Sequence, residues 1–291
     1  GLEVSMRQMF EGQTIEAICA MVAQPAAPGG IKLPPIKLVP RPEYLPLSYS
    51  QQRLWIISKV ERQEASYNLP SAVLLEGRLS VPTLKSAFEA LIQRHETLRT
   101  VFRQESDRNR GQPYQQILEE FTLELTQVDL SGFAEPQQSL RVKELADEDA
   151  MRIFDLSRDL MLRVSLLKLG QERHVLLLNR HHIASDAWSI NVLLKELGEL
   201  CQAYEAGVEA QLPALPMQYA DYALWQREWL QGEALEAHRR YWQEALAGIP
   251  KLHNLPLDHA RPAQRSYGGG RHGYQLCVER TQALKQLNQE Q

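Results

Sequence analysis

Residues 174–200 read HVLLLNRHHIASDAWSINVLLKELGEL and contain a strand, a turn and a helix in immediate succession. The continuous apolar run at 175–178 implies a strand covered on both faces, because a strand with one wet face alternates apolar and polar residues. It therefore belongs in mid-sheet. Its carboxyl end delivers RHHIASD directly into a helix predicted over 188–204, where Ile190, Leu193, Leu194, Leu197 and Leu200 make one apolar stripe. The carboxyl ends of central strands are where open sheets place reacting groups.

Working outward, Leu162, Val164 and Leu166 alternate with polar residues, and a Gly170-Gln171 turn leads back into the central strand. Further upstream, spacing predicts a helix over 48–60, a strand over 71–79 and a helix opened by Ser80 with Pro82 in its first turn and closed near His95. Strands are expected over 98–103, 114–118 and 121–126, then a helix over 137–151. Downstream come helices over 219–230 and 233–247, a glycine turn at 268–270, a strand over 271–278 and the start of a last helix. The seven prolines between 23 and 47 forbid a regular helix and predict an extended, semi-rigid linker. It is preceded by a broken helical pattern in which Thr14 caps the second piece. The whole reads as α/β (α+β), with a mixed central sheet flanked by helices.

The chain has 291 residues, room for one large core or two modest ones. Lys plus Arg number 32 and Asp plus Glu 36, a formal net charge of −4, which argues against a nucleic-acid partner. A mean hydropathy of −0.37 and the absence of a long apolar stretch argue against a membrane. No basic leader followed by an apolar segment is visible, and Cys19, Cys201 and Cys277 form no CxxC pair. Reduced thiols and a cytoplasmic location are expected.

His181, His182 and Asp186 make the sharpest chemical signal. Adjacent residues of a strand point to opposite faces, so one imidazole faces a cavity while its neighbour packs. Asp186 stands where it either caps the following helix or forms an ion pair that pins the loop. On spacing alone, acid/base or positioning chemistry, satisfied loop histidines and a metal site all stay open. The metal is the weakest, since two adjacent strand residues converge on one ion only across a sharp bend. Ser185 and Ser189 read as helix-start hydroxyls, because no GxSxG elbow surrounds them. The glycines at 268–270 lack the Lys-Ser or Lys-Thr of a phosphate loop. Tyr219, Tyr222, Trp225 and Trp229 recur at helical spacing and read as packing.

Four stretches, in order, resemble the motifs of the condensation domain of non-ribosomal peptide synthetases: LPLSYSQQRLW (45–55), RHETLRTVF (94–102), HHIASDAWS (181–189, the family's HHxxxDG motif) and YADYALWQ (219–226). The likeness runs over 45–291, and SMRQMFEGQTIEAICAMV (5–22) is similar to the last helices of a peptidyl carrier domain. The resemblance implies a chloramphenicol-acetyltransferase-like lobe at 45–265, preceded by a carrier tail (1–22) and a linker (23–44). It is followed by the start of a truncated second lobe (266–291). It implies peptide-bond formation between donor and acceptor thioesters, with His182 catalytic and His181 packing in the loop. Asp186 is then expected in a buried ion pair with Arg99, or failing that Arg94, whose breaking would cost about 3 to 5 kcal/mol. Ala187, Trp188 and Ser189 are expected to line the channel. No cofactor is bound directly; 4'-phosphopantetheine arrives on an upstream donor and a downstream acceptor carrier domain, beside an adenylation domain.

Ala187 departs from the family's glycine, and a narrowed but passable channel is expected unless that position simply begins the helix, where alanine is favourable. The paired histidines exclude the heterocyclising subtype, and QQRLW is closer to subtypes that accept an L-configured donor. A catalytically silent carrier-docking lobe and a coenzyme A-dependent acyltransferase are the alternatives. These 291 residues alone are expected to give no turnover.

Overall fold

The computed structural model describes residues 14–23, 33–60, 65–250, 252, 255–260 and 274–290. The chain divides into two compact units, Gly1–Ala247 and Gly248–Gln291. In chain order the first holds α1 (Ile15–Ala23), β1 (Leu45–Pro46), α2 (Tyr49–Val60), β2 (Asn68–Glu76), α3 (Val81–Arg94), β3 (Thr100–Arg103), β4 (Tyr114–Ile117) and β5 (Leu125–Asp129). It continues through α4 (Glu135–Met151), β6 (Leu162–Lys168), β7 (Arg173–His181), α5 (Ser189–Glu205), α6 (Tyr219–Trp229) and α7 (Gly232–Ala245). The second holds α8 (Val278–Glu290).

The apolar run of β7 puts that strand inside the sheet. Four strands are ordered β2-β7-β6-β5, antiparallel except for the parallel pair β5 and β6. Leu176 and Leu178 enter a core with Phe88, Leu91 and Ile92 of α3 and Leu193, Leu197 and Leu200 of α5. Val175 and Leu177 enter a second core with Leu130 and Leu167, against which Val142, Leu145 and Ala146 of α4 pack. Helices thus cover both faces, and removing this much apolar surface from water is the main driving force for the lobe. A smaller antiparallel sheet, β1-β4-β3, stands apart from the first.

Local chemistry sets most boundaries. The Ser80 hydroxyl accepts the Thr83 N–H at 3.3 Å and caps α3. Strand β2 starts three residues earlier than its pattern predicts and stops at Gly77, whose φ of +109° favours glycine. The strand expected over 121–126 is displaced to β5, because Leu125 pairs with Val164 while Leu123 drops into the main core. The first two residues of the strand expected over 98–103 fall in a 3₁₀ turn, Glu96–Arg99. Of the strand expected over 271–278, the described residues 274–277 form no ladder and Val278 already opens α8. The glycine turn at 268–270 lies outside the described residues.

The second half of the proline-rich segment runs against the lobe. The Trp225 Nε1–H donates to the Pro34 carbonyl at 3.0 Å, and the Arg41 guanidinium bridges Asp221 and Glu96, each at 2.9 Å. The expected spacer is a strap here. Along α6 the rings of Tyr219, Tyr222, Trp225 and Trp229 follow one another at 5.3, 5.7 and 5.5 Å between centroids, as packing requires.

Candidate active site

At the end of β7 the two histidines part company, as strand alternation requires. His181 is buried against Phe154, ring centroids 5.8 Å apart, and its Nδ1 accepts the Ile183 N–H at 3.1 Å. That bond leaves the ring proton on Nε2. Burial, reinforced by His182 and Arg163, pushes the imidazole down to about 4, so it is neutral near pH 7. His182 is exposed, and its main-chain N–H donates to the Tyr67 carbonyl at 2.8 Å. It borders a cavity of about 480 Å³ shared with Arg53, Tyr67, Asp186, Ser189 and Tyr219.

Asp186 makes no ion pair among the described residues. It is exposed, and its Oδ1 accepts the Trp188 N–H at 3.1 Å, the Ser189 N–H at 2.8 Å and the Ser189 hydroxyl at 2.6 Å. Those bonds, from Ser189 first, hold its carboxyl below the usual carboxylate range. The expected partner Arg99 is buried and directs its guanidinium to the carbonyls of Leu118, at 2.6 Å, and Gln93, at 3.2 Å. Arg94 pairs with Glu196 of α5 at 3.2 Å. The buried-pair expectation is corrected for a physical reason: the first N–H groups of α5 lie in sequence next to the carboxylate, and both arginines find closer acceptors.

Of the expected channel residues, Ser189 borders the 480 Å³ cavity and also a neighbouring one of about 150 Å³, and Trp188 borders only the smaller. Ala187 borders neither; it is exposed in the turn before α5, and its φ is not in the left-handed region. The strain that a glycine would relieve is absent. Two residues escaped sequence reasoning. Tyr67 precedes β2 and was hidden in a loop. Arg180 lies on β7, buried, two residues before His182. Its signal was present as a cation two residues beyond the apolar run 175–178.

An exposed imidazole at the rim of a central strand, with phenol and hydroxyl groups around it, can accept a proton or hold an amine by hydrogen bonding. Residues 42–291 match the family model described as Condensation domain. The chain belongs to the condensation-domain family, and its mixed sheet flanked by helices is the chloramphenicol-acetyltransferase-like arrangement. It is 38% identical over 267 residues to gramicidin S synthase 2 of Brevibacillus brevis, an alignment covering 92% of this chain and 6% of that protein. Malpinin synthetase of Mortierella alpina is 36% identical over 289 residues, 99% of this chain and 4% of that protein. The chain thus spans a small fraction of these relatives. Among solved structures, a complex of the X-domain and OxyB from teicoplanin biosynthesis aligns with a TM-score of 0.70 and 32% identity, covering 81% of this chain and 50% of that one. The first condensation domain of the calcium-dependent antibiotic synthetase, at TM-score 0.63 and 22% identity over 72% of this chain and 48% of its own, shares the fold.

Proposed function

We propose that this chain is the amino-terminal lobe of a peptide-bond-forming condensation domain in a non-ribosomal peptide synthetase, and that His182 is its catalytic residue. One observation carries the reading: His182 alone of the two motif histidines faces the cavity, while His181 is buried and neutral. The acceptor amine nitrogen attacks the carbonyl carbon of the donor thioester, the carbon–sulfur bond breaks, and the released thiol takes a proton. A thioester is already activated, so no covalent enzyme intermediate is needed. His182 receives the ammonium proton or steadies the tetrahedral intermediate, with positioning of the amine contributing alongside.

On this reading residues 1–22 end a carrier domain, 23–44 link it to the lobe at 45–265, and 266–291 begin the second lobe. The partners are a donor and an acceptor carrier domain bearing phosphopantetheine, next to an adenylation domain, in the cytoplasm. The motif 45–55 favours an L-configured donor. The solved relatives are about twice as long as their match to this chain. These 291 residues alone should therefore give no transfer, the facing wall of the channel being supplied by the second lobe.

The test is His182→Ala in the synthetase carrying this domain, with both carriers loaded. Dipeptidyl transfer should disappear while carrier binding persists. Undiminished transfer overturns the assignment and favours a non-catalytic docking lobe, a second reading supported by the likeness to an X-domain described in complex with OxyB.

A further inference from the structure

We infer that Arg180 is a positioning residue that holds the His182 loop in its working geometry through Ser185, a role that rests on the proposed function of His182. Arg180 continues the series Leu176, Leu178 along one face of β7, flanked across the ladder by Leu69 of β2 and Leu162 of β6. An apolar side chain would fit this series at far lower desolvation cost. Instead the guanidinium is buried, and no carboxylate lies within ion-pair distance among the described residues. All its acceptors are neutral. Nη2 donates to the Leu69 carbonyl at 3.1 Å and the Ser71 hydroxyl at 2.9 Å, both on β2, and Nη1 donates to the Ser185 hydroxyl at 3.3 Å.

This planar fork ties the loop to the sheet edge beneath it. His182 sits inside the tie: its own N–H is held by the Tyr67 carbonyl, two residues before Leu69. Ser185 borders the 480 Å³ cavity that His182 also lines, and the smaller one next to it. The loop is therefore anchored at both ends, by Tyr67 at His182 and by Arg180 at Ser185. Asp186, occupied with the start of α5, contributes no such anchor. Releasing Ser185 would let the segment 183–185 shift, and displacement of a reacting group by about 1 Å is costly in rate. A lysine keeps the charge but lacks the fork, so it restores the tie only in part.

The experiment compares Arg180→Met, Arg180→Lys and Ser185→Ala in the synthetase carrying this domain, with donor and acceptor carriers loaded and dipeptidyl transfer measured against acceptor concentration. Arg180→Met should lower kcat about tenfold or more, with the acceptor KM within about twofold of wild type. Arg180→Lys should recover part of the loss. Ser185→Ala should lower kcat in the same sense, and the double variant Arg180→Met/Ser185→Ala should be no worse than Arg180→Met alone. Wild-type kcat in Arg180→Met or Ser185→Ala, or a loss confined to KM, overturns the inference. If Arg180→Met melts before it can be assayed, Arg180→Lys and Ser185→Ala decide by the same criterion. His182→Ala runs alongside: full transfer there overturns the role of His182 itself, whereas its loss together with normal Arg180 variants overturns only the positioning role.

Discussion

Ser189 and Asp186 hold each other reciprocally: the carboxylate accepts the Ser189 N–H at 2.8 Å and hydroxyl at 2.6 Å, while the Ser189 Oγ accepts the Asp186 N–H at 3.3 Å. The aspartate of the motif is thus a cap on α5 and not half of a buried pair. Its charge also sits favourably at the positive end of the helix dipole.

A cap and a buried pair respond differently to Asp186→Asn. Asparagine caps about as well as aspartate, so this variant should lose only a few tenths of a kcal/mol, and Asp186→Ala about 1 kcal/mol. A buried pair would lose about 3 to 5 kcal/mol with either change. Urea unfolding of the three proteins separates the cases. The carboxyl is lowered from its unfolded value, so its contribution is present at neutral pH and fades only as pH falls through the folded value in the acid range. Solvent exposure keeps that contribution small.

The His181 imidazole makes a larger contribution, in a higher pH window. With a folded value of about 4 against an ordinary value of 6.5, the unfolded chain binds more protons between those limits. Stability is therefore full above pH 6.5 and declines as pH falls toward 4, by on the order of 3 kcal/mol at most. Unfolding free energies measured across this range should flatten in His181→Asn relative to wild type. An unchanged slope would show that the ring takes up its proton as readily in the folded protein as in the unfolded chain.

Glu196 meets two side chains from the end of α3: Arg94 Nε at 3.2 Å and His95 Nε2 at 2.6 Å. All three side chains are partly buried. Glu196→Ala should destabilise the lobe by about 1 to 3 kcal/mol, as loss of hydrogen bonds to charged groups does. Combining it with Arg94→Ala should cost less than the sum of the single changes, because they remove the same contact. Thermal melts of the cycle measure this.

Ala187 sits outside both cavities with an ordinary φ. Ala187→Gly should therefore leave the transfer rate within about twofold and lower stability by no more than about 1 kcal/mol, glycine's penalty at a helix start being at or below its interior value. A several-fold faster reaction would mean that the methyl group constricts the route to His182. Single-turnover assays of the two proteins distinguish these results.

The motif neighbourhood and the covered central strand could be read from residues 174–200 because both depend on short-range rules. An apolar run with no alternation belongs between two layers, and adjacent strand residues face opposite ways. Leu176 and Val175 enter different cores as that rule demands, and His181 and His182 separate by it. Arg180 obeys the same alternation, yet an isolated arginine reads as a solvated charge until Leu69, Ser71 and Ser185 are seen around it. The displaced β5 shows the other failure: Phe121 to Thr126 has strand composition, but only pairing with β6 sets which residues join the ladder.

Chain-local patterning was enough for most of the helices and strands between residues 48 and 247, the capped start of α3 and the expectation that the two histidines face opposite ways. Each follows from backbone geometry within a few residues. The partners of Asp186, Arg94, Arg99 and Arg180 needed the folded chain. A charged side chain takes whichever partner is nearest and least solvated, and for the three arginines that partner lies on another element, brought near only by packing of the core.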